Sequence, residues 1–123
     1  MSDIQLGAVE ARFADMIWER APVTAAELAR LGAAELGWKK TTAYTVLHRL
    51  CEKGLFRLED GVVTARLGRE EFYAAASRQF VDERFSGSLP AFLAAFTRGR
   101  ALSERERDEL RRMIDKFEEE HHG

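Results

Sequence analysis

Residues 37–54 read GWKKTTAYTVLHRLCEKG, which is the pattern of an amphipathic helix that ends at a glycine. Apolar side chains recur at steps of three and four residues, so they share one face of a helix that turns about 100° per residue. The opposite face carries threonines, a histidine and cations, whereas an ordinary solvated face is rich in glutamate and mixed charge. The stretch therefore predicts a helix that buries Ala43, Val46, Leu47 and Leu50 and presents hydrogen-bonding groups outward. Gly54 has the position of a left-handed helix cap.

Two further helices are predicted before this stretch. A first helix ends near Arg20, before Pro22, and a capping box at Thr24-Ala25-Ala26-Glu27 starts a second, short helix that we expect to end at the loop between Gly32 and Gly37. The apolar residues that predict the first helix are Leu6, Val9, Phe13, Met16 and Ile17.

A β-hairpin is predicted after Gly54. Residues 55–59 and 62–67 are β-prone, and the pair Asp60-Gly61 between them suits a tight turn. Three helices followed by a hairpin is the order of a winged helix-turn-helix, in which the third helix enters the DNA major groove. We therefore predict a mainly α fold with a small β-hairpin and a DNA-binding domain over residues 1–70.

The polar side of the third helix supplies the candidate DNA contacts. Arginine can pair with guanine, threonine can bond a base edge, and lysine can neutralise phosphate. The alternative is that this face is simply solvated. We predict that the groove is faced by Thr41, Thr42, Tyr44, Thr45, His48 and Arg49, that phosphates are bound by Lys39 and Lys40, and that the wing adds backbone contacts through Arg57 and Arg66.

The last third of the chain is predicted to be a helical dimerisation region over residues 71–123. Three more helices are indicated, the last starting at a capping box over Ser103-Glu104-Arg105-Glu106. Their apolar residues, Phe72 among them, exceed what a few short helices bury among themselves, so a second copy is expected; the alternative is that they fold back on the first domain. The predicted dimer contacts are Phe80, Phe85, Leu89, Phe92, Phe96, Leu110, Ile114 and Phe117.

Composition excludes several classes of protein. The chain has 123 residues, 46% of them hydrophobic and 33% charged, and a net charge of -2. It has neither a membrane-length apolar run nor a signal-peptide layout, so we expect no membrane insertion and a cytoplasmic location. With Cys51 as its only cysteine, it can form no intrachain disulfide. Cations are concentrated between Trp38 and Leu58, where Glu52 is the only acid.

Signs of an enzyme, a cofactor or a metal site are weak. His48 is the only histidine in the body of the chain, and no nucleophile constellation or glycine-rich phosphate loop accompanies it, so we expect no enzyme, cofactor or metal. His121 and His122, near Glu118, are interpreted as a solvated tail, with metal binding as the alternative. Cys51 is interpreted as a half-buried structural thiol, with a redox switch as the alternative.

An ordered set of residues extends this interpretation. It comprises Trp18, the run Trp38-Lys39-Lys40-Thr41-Thr42, Thr45, Leu50, Lys53-Gly54, the run Phe85-Ser86-Gly87-Ser88-Leu89, Leu102-Ser103, Glu106, Leu110-Arg111 and Ile114. On these residues the chain resembles the penicillinase and methicillin-resistance repressor family (BlaI/MecI type) from about Leu6 to about Phe117. The resemblance implies a homodimeric transcriptional repressor of antibiotic-resistance-type genes that binds a two-fold symmetric operator.

The resemblance also implies a mode of regulation. Family members are commonly released by cleavage of an asparagine-phenylalanine bond in the dimerisation region, through a membrane sensor-protease pathway. The matching bond here is Ala95-Phe96, with alanine in place of asparagine. Copper-responsive relatives carry paired cysteines near the C-terminus, which this chain lacks. A regulator with a different inducer (metal, redox or ligand) and a winged-helix protein-interaction module remain alternatives.

Overall fold

The structure is a computed structural model that describes residues 5–121, with side chains described for residues 5–120. The described residues form six helices and one three-stranded antiparallel sheet, with strand order β1-β3-β2. This confirms the predicted mainly α fold with a winged helix followed by a helical region. The elements are α1 (Ala8–Arg20), β1 (Val23–Thr24), α2 (Ala25–Leu36), α3 (Lys40–Glu52), β2 (Phe56–Glu59), β3 (Val62–Ala65), α4 (Arg69–Phe85), α5 (Leu89–Gly99) and α6 (Glu104–His121).

The core of the winged helix lies where α1, α2 and α3 meet the sheet. Each helix contributes its apolar stripe, and the predicted stripe of α3 is buried as expected. Val9 is the exception on α1, since it is exposed although the periodicity places it on the buried face. The largest completely buried side chains are Phe13, Ile17, Leu28, Leu47, Leu50, Leu55, Phe56, Phe72 and Val63.

The sheet has one strand more than the predicted hairpin. β1 pairs with β3 through Val23↔Val63 and Thr24↔Val62, and the Ala25 N–H donates to the Gly61 carbonyl at 2.9 Å. Two residues are too few to show a period of two, so this strand could not be predicted from the sequence. It forms because β3 of the hairpin offers it an edge. The start of α2 is thereby attached to the turn of the wing.

Helix α2 is longer than predicted. It continues through Gly32, which packs beside Trp38 and Ala43, and it ends at Leu36 because Gly37 adopts a left-handed φ of 67°. Only half of the predicted capping box forms. Glu27 N–H donates to Thr24 Oγ1 at 3.1 Å, but the Glu27 carboxylate turns to Arg30, and that hydrogen bond lowers the pKa of Glu27.

The two glycines of this segment should respond to alanine in opposite directions. A methyl group at residue 32 would lie 3.6 Å from the Ala43 Cβ, an ordinary contact, so Gly32→Ala is expected to stabilise the fold by about 0.5–1 kcal/mol through helix propensity. Gly37→Ala is expected to destabilise it by about 1 kcal/mol because of the positive φ. Urea unfolding of both variants checks this, and a destabilised Gly32→Ala variant would contradict it.

Helix α4 starts inside the winged-helix core. Phe72 and Ala76 are buried there. The expectation that Phe72 is one of the apolar side chains that a second copy must bury is therefore wrong. Trp18 packs against Phe56, Phe72 and Tyr73, and its indole N–H donates to the Leu67 carbonyl at 2.9 Å. The core therefore crosses residue 70, and the division into residues 1–70 and 71–123 stays a prediction.

The second half of α4 packs against α5. The rings of Phe80, Phe85 and Phe92 contact one another with centroids 5.6–6.1 Å apart and hold α4 against α5. The capping box of α6 is confirmed in both directions, and the Ser103 backbone N–H holds the pKa of Glu106 below its usual value. Within residues 5–121, no helix is long and apolar enough to cross a membrane.

Candidate nucleic-acid interface

The outward face of α3 forms one continuous polar surface. Because Ala43, Leu47 and Leu50 are buried, the residues opposite them must point away from the protein. Thr41, Thr45 and His48 follow one another along the helix as a row of exposed side chains, which we name the recognition ridge. Thr42 is exposed beside this row. Arg49 is exposed as well, so five of the six predicted groove residues, all except Tyr44, lie on one accessible side of α3.

The hydroxyl of Thr45 is already partly used inside the helix. Thr45 Oγ1 donates to the Thr41 carbonyl at 2.9 Å. The lone pairs of the oxygen and the methyl group stay available. This side chain can therefore accept a hydrogen bond from a base amino group or contact a thymine methyl group, whereas its proton is not free for a second acceptor.

The start of α3 combines cations with the positive end of the helix dipole. Lys39 is the N-cap and Lys40 the first helical residue, both are exposed, and the first turn contains no acidic residue. Lys40 Nζ lies 5.9 Å from the centroid of the Tyr44 ring. Tyr44 is itself half-buried against the core, so it supports Lys40 at the flank of the ridge. This end of the helix is suited to binding phosphate.

Arg49 lies on the flank of α3 that faces the N-terminal end of α1. Its Nη1 atom is 3.6 Å from Glu10 Oε2, and its side chain is 53% exposed. Glu10 is fixed in turn by the Gly7 N–H, which donates to Oε1 at 3.2 Å. Among the described residues Glu10 Oε2 accepts no hydrogen bond, so the ion pair with Arg49 is its main polar contact. The ion pair draws the guanidinium of Arg49 toward α1, but the side chain stays exposed on the same side of α3 as Thr42, and its role in the groove stays a prediction.

Lys53 completes this polar cluster at the end of α3. Its Nζ atom donates to the Gln5 carbonyl at 2.8 Å and lies 3.9 Å from Glu10 Oε1, and its side chain is only 18% exposed. Neither Gln5 nor Glu10 was identified from the sequence. They are far from α3 along the chain, and a lone glutamine or glutamate carries no local pattern that marks a contact with a distant helix.

The cations of the wing lie at its base, not at its tip. Arg57 is exposed on β2, with Nη1 3.8 Å from Glu59 Oε1, and Arg66 is exposed directly after β3. The turn between the strands has left-handed φ values at both Asp60 and Gly61. Because the tip carries Glu59 and Asp60, it would repel phosphate, and any backbone contact by the wing would use its base.

Cys51 lies beside the core on the inner flank of α3. It is half-buried, and burial raises the pKa of its thiol. The thiol is therefore protonated at neutral pH and a poor nucleophile, which favours the structural interpretation over the redox switch.

The other predicted sites lie in the last three helices. Ala95 and Phe96 are both exposed within α5. Phe80, Phe85, Phe92 and Leu110 are half-buried, and Leu89, Phe96, Ile114 and Phe117 are exposed. The side chain of His121 and the whole of His122 lie outside the described residues. In the part of the chain that is described, no three His, Cys, Asp or Glu side chains are grouped as metal ligands.

Comparison with known proteins agrees with this architecture. The family model described as "Penicillinase repressor" matches residues 6–116, from the N-terminal end of α1 into α6. A comparison with curated proteins gave no match. The family is one of transcriptional regulators and not of enzymes. Since the match covers nearly the whole chain, the protein belongs to the penicillinase repressor family.

Proposed function

We propose that the protein is a homodimeric transcriptional repressor that inserts α3 into the major groove of a two-fold symmetric DNA operator. The observation that carries the proposal is the recognition ridge of Thr41, Thr45 and His48. It is exposed on the third helix of a winged helix, with Lys39 and Lys40 at its start. The family match supports target genes of the antibiotic-resistance type.

The distribution of charge along α3 supports a particular orientation on DNA. The only acidic residue of the helix is Glu52, in its last turn. The first turn carries the lysines, and a recognition helix commonly directs its N-terminal part at the base edges. Placed in this way, the ridge reads bases, the lysines bind phosphate on one side, and Glu52 stays at the distant end of the helix.

A second copy is expected on the apolar face of α6. Met113, Ile114 and Phe117 are 64%, 62% and 61% exposed and share one side of the helix. Large apolar side chains that are exposed together mark an interaction surface. A two-fold dimer through this surface would present two recognition helices to half-sites about one helical turn, or a multiple of it, apart.

Release by proteolysis would act on the same region. A cavity of about 250 Å³ between α5 and α6 is lined by Phe92, Phe96, Leu110 and Met113, among others. Cleavage of Ala95-Phe96 would divide α5 beside this cavity and separate α6 from the winged helix. We propose that a membrane sensor-protease pathway relieves repression in this way. Incubation with the activated protease, followed by mass spectrometry, tests the position of the cut.

The DNA-binding role is tested first by selection from a random duplex library and then by salt titration on the recovered duplex. For the double variant Lys39→Gln and Lys40→Gln, the plot of log affinity against log salt should become shallower by about 2, because two phosphate contacts are lost. The matched control is Arg105→Gln with Lys116→Gln on α6, which changes the net charge equally and should keep the original slope.

Two outcomes would contradict this role. If the wild-type protein recovers no duplex, the winged helix is a protein-interaction module instead. If the lysine variant and the control show the same slope, Lys39 and Lys40 do not bind phosphate. A complementary variant, Thr45→Ala, should change the preferred sequence without changing the salt dependence, because Thr45 is assigned to base contact.

A further inference from the structure

Gln5 connects the recognition helix to the helix that leads into the C-terminal region. Its carbonyl accepts a hydrogen bond from Lys53 Nζ at 2.8 Å, and its side-chain Nε2 donates to the Ala76 carbonyl in α4 at 2.8 Å. The same Nε2 lies 3.4 Å from Gln79 Oε1. We name the chain of contacts from Lys53 through Gln5 to Ala76 the Gln5 bridge.

The recognition-helix side of this bridge is well fixed. The Lys53 side chain is mostly buried, and its ammonium group is held between the Gln5 carbonyl and the Glu10 carboxylate. Hydrogen bonds from a charged donor are stronger than neutral ones, and partial burial protects them from competition by water. The position of Gln5 is therefore coupled to that of the C-terminal end of α3.

The contact of Gln5 with Ala76 bears on the direction of the α4 axis. Phe72 is buried in the core and fixes the first turn of α4. Ala76 is four residues further along, about 6 Å up the helix axis. Ala76 is also packed in the core, and the Gln5 bond holds its carbonyl there, so the bridge adds a directional polar restraint to the axis of α4. After Ala76 the helix continues to Phe80 and Phe85, which contact α5.

We propose that Gln5 is a positioning residue that sets the direction in which α4 leaves the winged helix, and thereby the separation of the two recognition helices in the dimer. The inference rests on the proposed function, since it requires a dimer on a two-fold operator. Its consequence is that Gln5, which lies outside the recognition ridge, determines which spacing between half-sites the protein accepts.

The test uses the duplex that the wild-type protein recovers from a random library, together with versions in which two base pairs are inserted or removed at its centre. The variants are Gln5→Leu, which removes the bond to Ala76, and Lys53→Met, which removes the bond to Gln5. The control is Ser77→Ala, because among residues 5–121 the Ser77 hydroxyl bonds only the Ala74 carbonyl of its own helix. Sedimentation verifies that each variant keeps the oligomeric state of the parent.

A change of two base pairs rotates one half-site by about 70°, so wild-type and Ser77→Ala proteins should lose affinity by about tenfold or more. Gln5→Leu and Lys53→Met should lose only about threefold or less, since a less rigid connection accommodates both spacings. The double variant should resemble the more tolerant single variant, because both substitutions interrupt the same bridge.

Two results would overturn the inference. One is an unchanged spacing preference in Gln5→Leu. The other is a loss of affinity that is equal at every spacing, which indicates only a less stable fold. Both differ from failure of the proposed function, in which the wild-type protein itself recovers no two-fold duplex. Binding to a duplex with a single half-site provides the internal reference, and there Gln5→Leu should match the wild-type protein.

Discussion

Replacing Ile114 by glutamate is expected to convert the protein into a monomer and to weaken its binding to a two-fold operator by about 100-fold or more. Ile114 belongs to the exposed apolar stripe of α6, together with Met113 and Phe117. A charge placed there would have to be buried without a partner when a second copy covers the stripe. The monomer keeps one recognition helix, so it loses the contribution of the second half-site.

The control for this experiment lies on the other face of the same helix. Arg112→Gln changes the net charge by the same amount as Ile114→Glu, but residue 112 points away from the stripe. It should keep both the oligomeric state and the affinity. Sedimentation at micromolar concentration and DNA titration measure the two properties. A dimeric Ile114→Glu protein would show that α6 is not the interface, and a monomeric wild-type protein would remove the dimer from the proposal.

Trp18→Ala is expected to lower the free energy of unfolding by about 3–5 kcal/mol, the largest stability effect that we predict. The indole ring contacts Phe56 of the wing and Phe72 of α4 with centroids 5.3 and 5.8 Å away. Its removal would leave a cavity between these elements and would also leave the Leu67 carbonyl without its donor. Because the free energy of unfolding of a small domain is only about 5–15 kcal/mol, this substitution would remove much of it.

A second substitution separates the two contributions of Trp18. Trp18→Phe keeps an aromatic ring but cannot donate to Leu67, so it should cost about 1–3 kcal/mol. Urea unfolding monitored by circular dichroism gives both values. If Trp18→Ala cost less than about 1 kcal/mol, the contact of α4 with the wing would contribute little to the fold. The position of α4 would then have to depend on its other contacts.

Most of the fold could be predicted because its signals are local. The stripe of α3, the Asp60-Gly61 turn and the Ser103 capping box each lie within a few residues of chain, and each formed where it was predicted. The errors arose where distant contacts decided the outcome. β1 depends on an edge provided by β3, and α2 continues through Gly32 because Trp38 and Ala43 pack beside it.

The candidate site, like the fold, was predicted where its signals are local and missed where they are not. Helical periodicity was sufficient to place Thr41, Thr45 and His48 on one exposed face, since their positions follow from the burial of the opposite stripe. It could not show that Arg49 lies beside Glu10. A side chain on the flank of a helix takes its partner from the neighbouring element, and the sequence does not specify which element that is.

What the sequence by itself determined is therefore the order of the elements, the buried face of each helix and, through the residues it shares with the penicillinase repressors, the family. These properties depend on spacings of two, three or four residues and on an ordered set of residue types. Only the tertiary structure decided that Lys53 reaches Gln5 and that Gln5 reaches Ala76. Such contacts depend on how α3, α4 and the segment before α1 pack together, because a polar group bonds the groups that packing brings within about 3 Å of it.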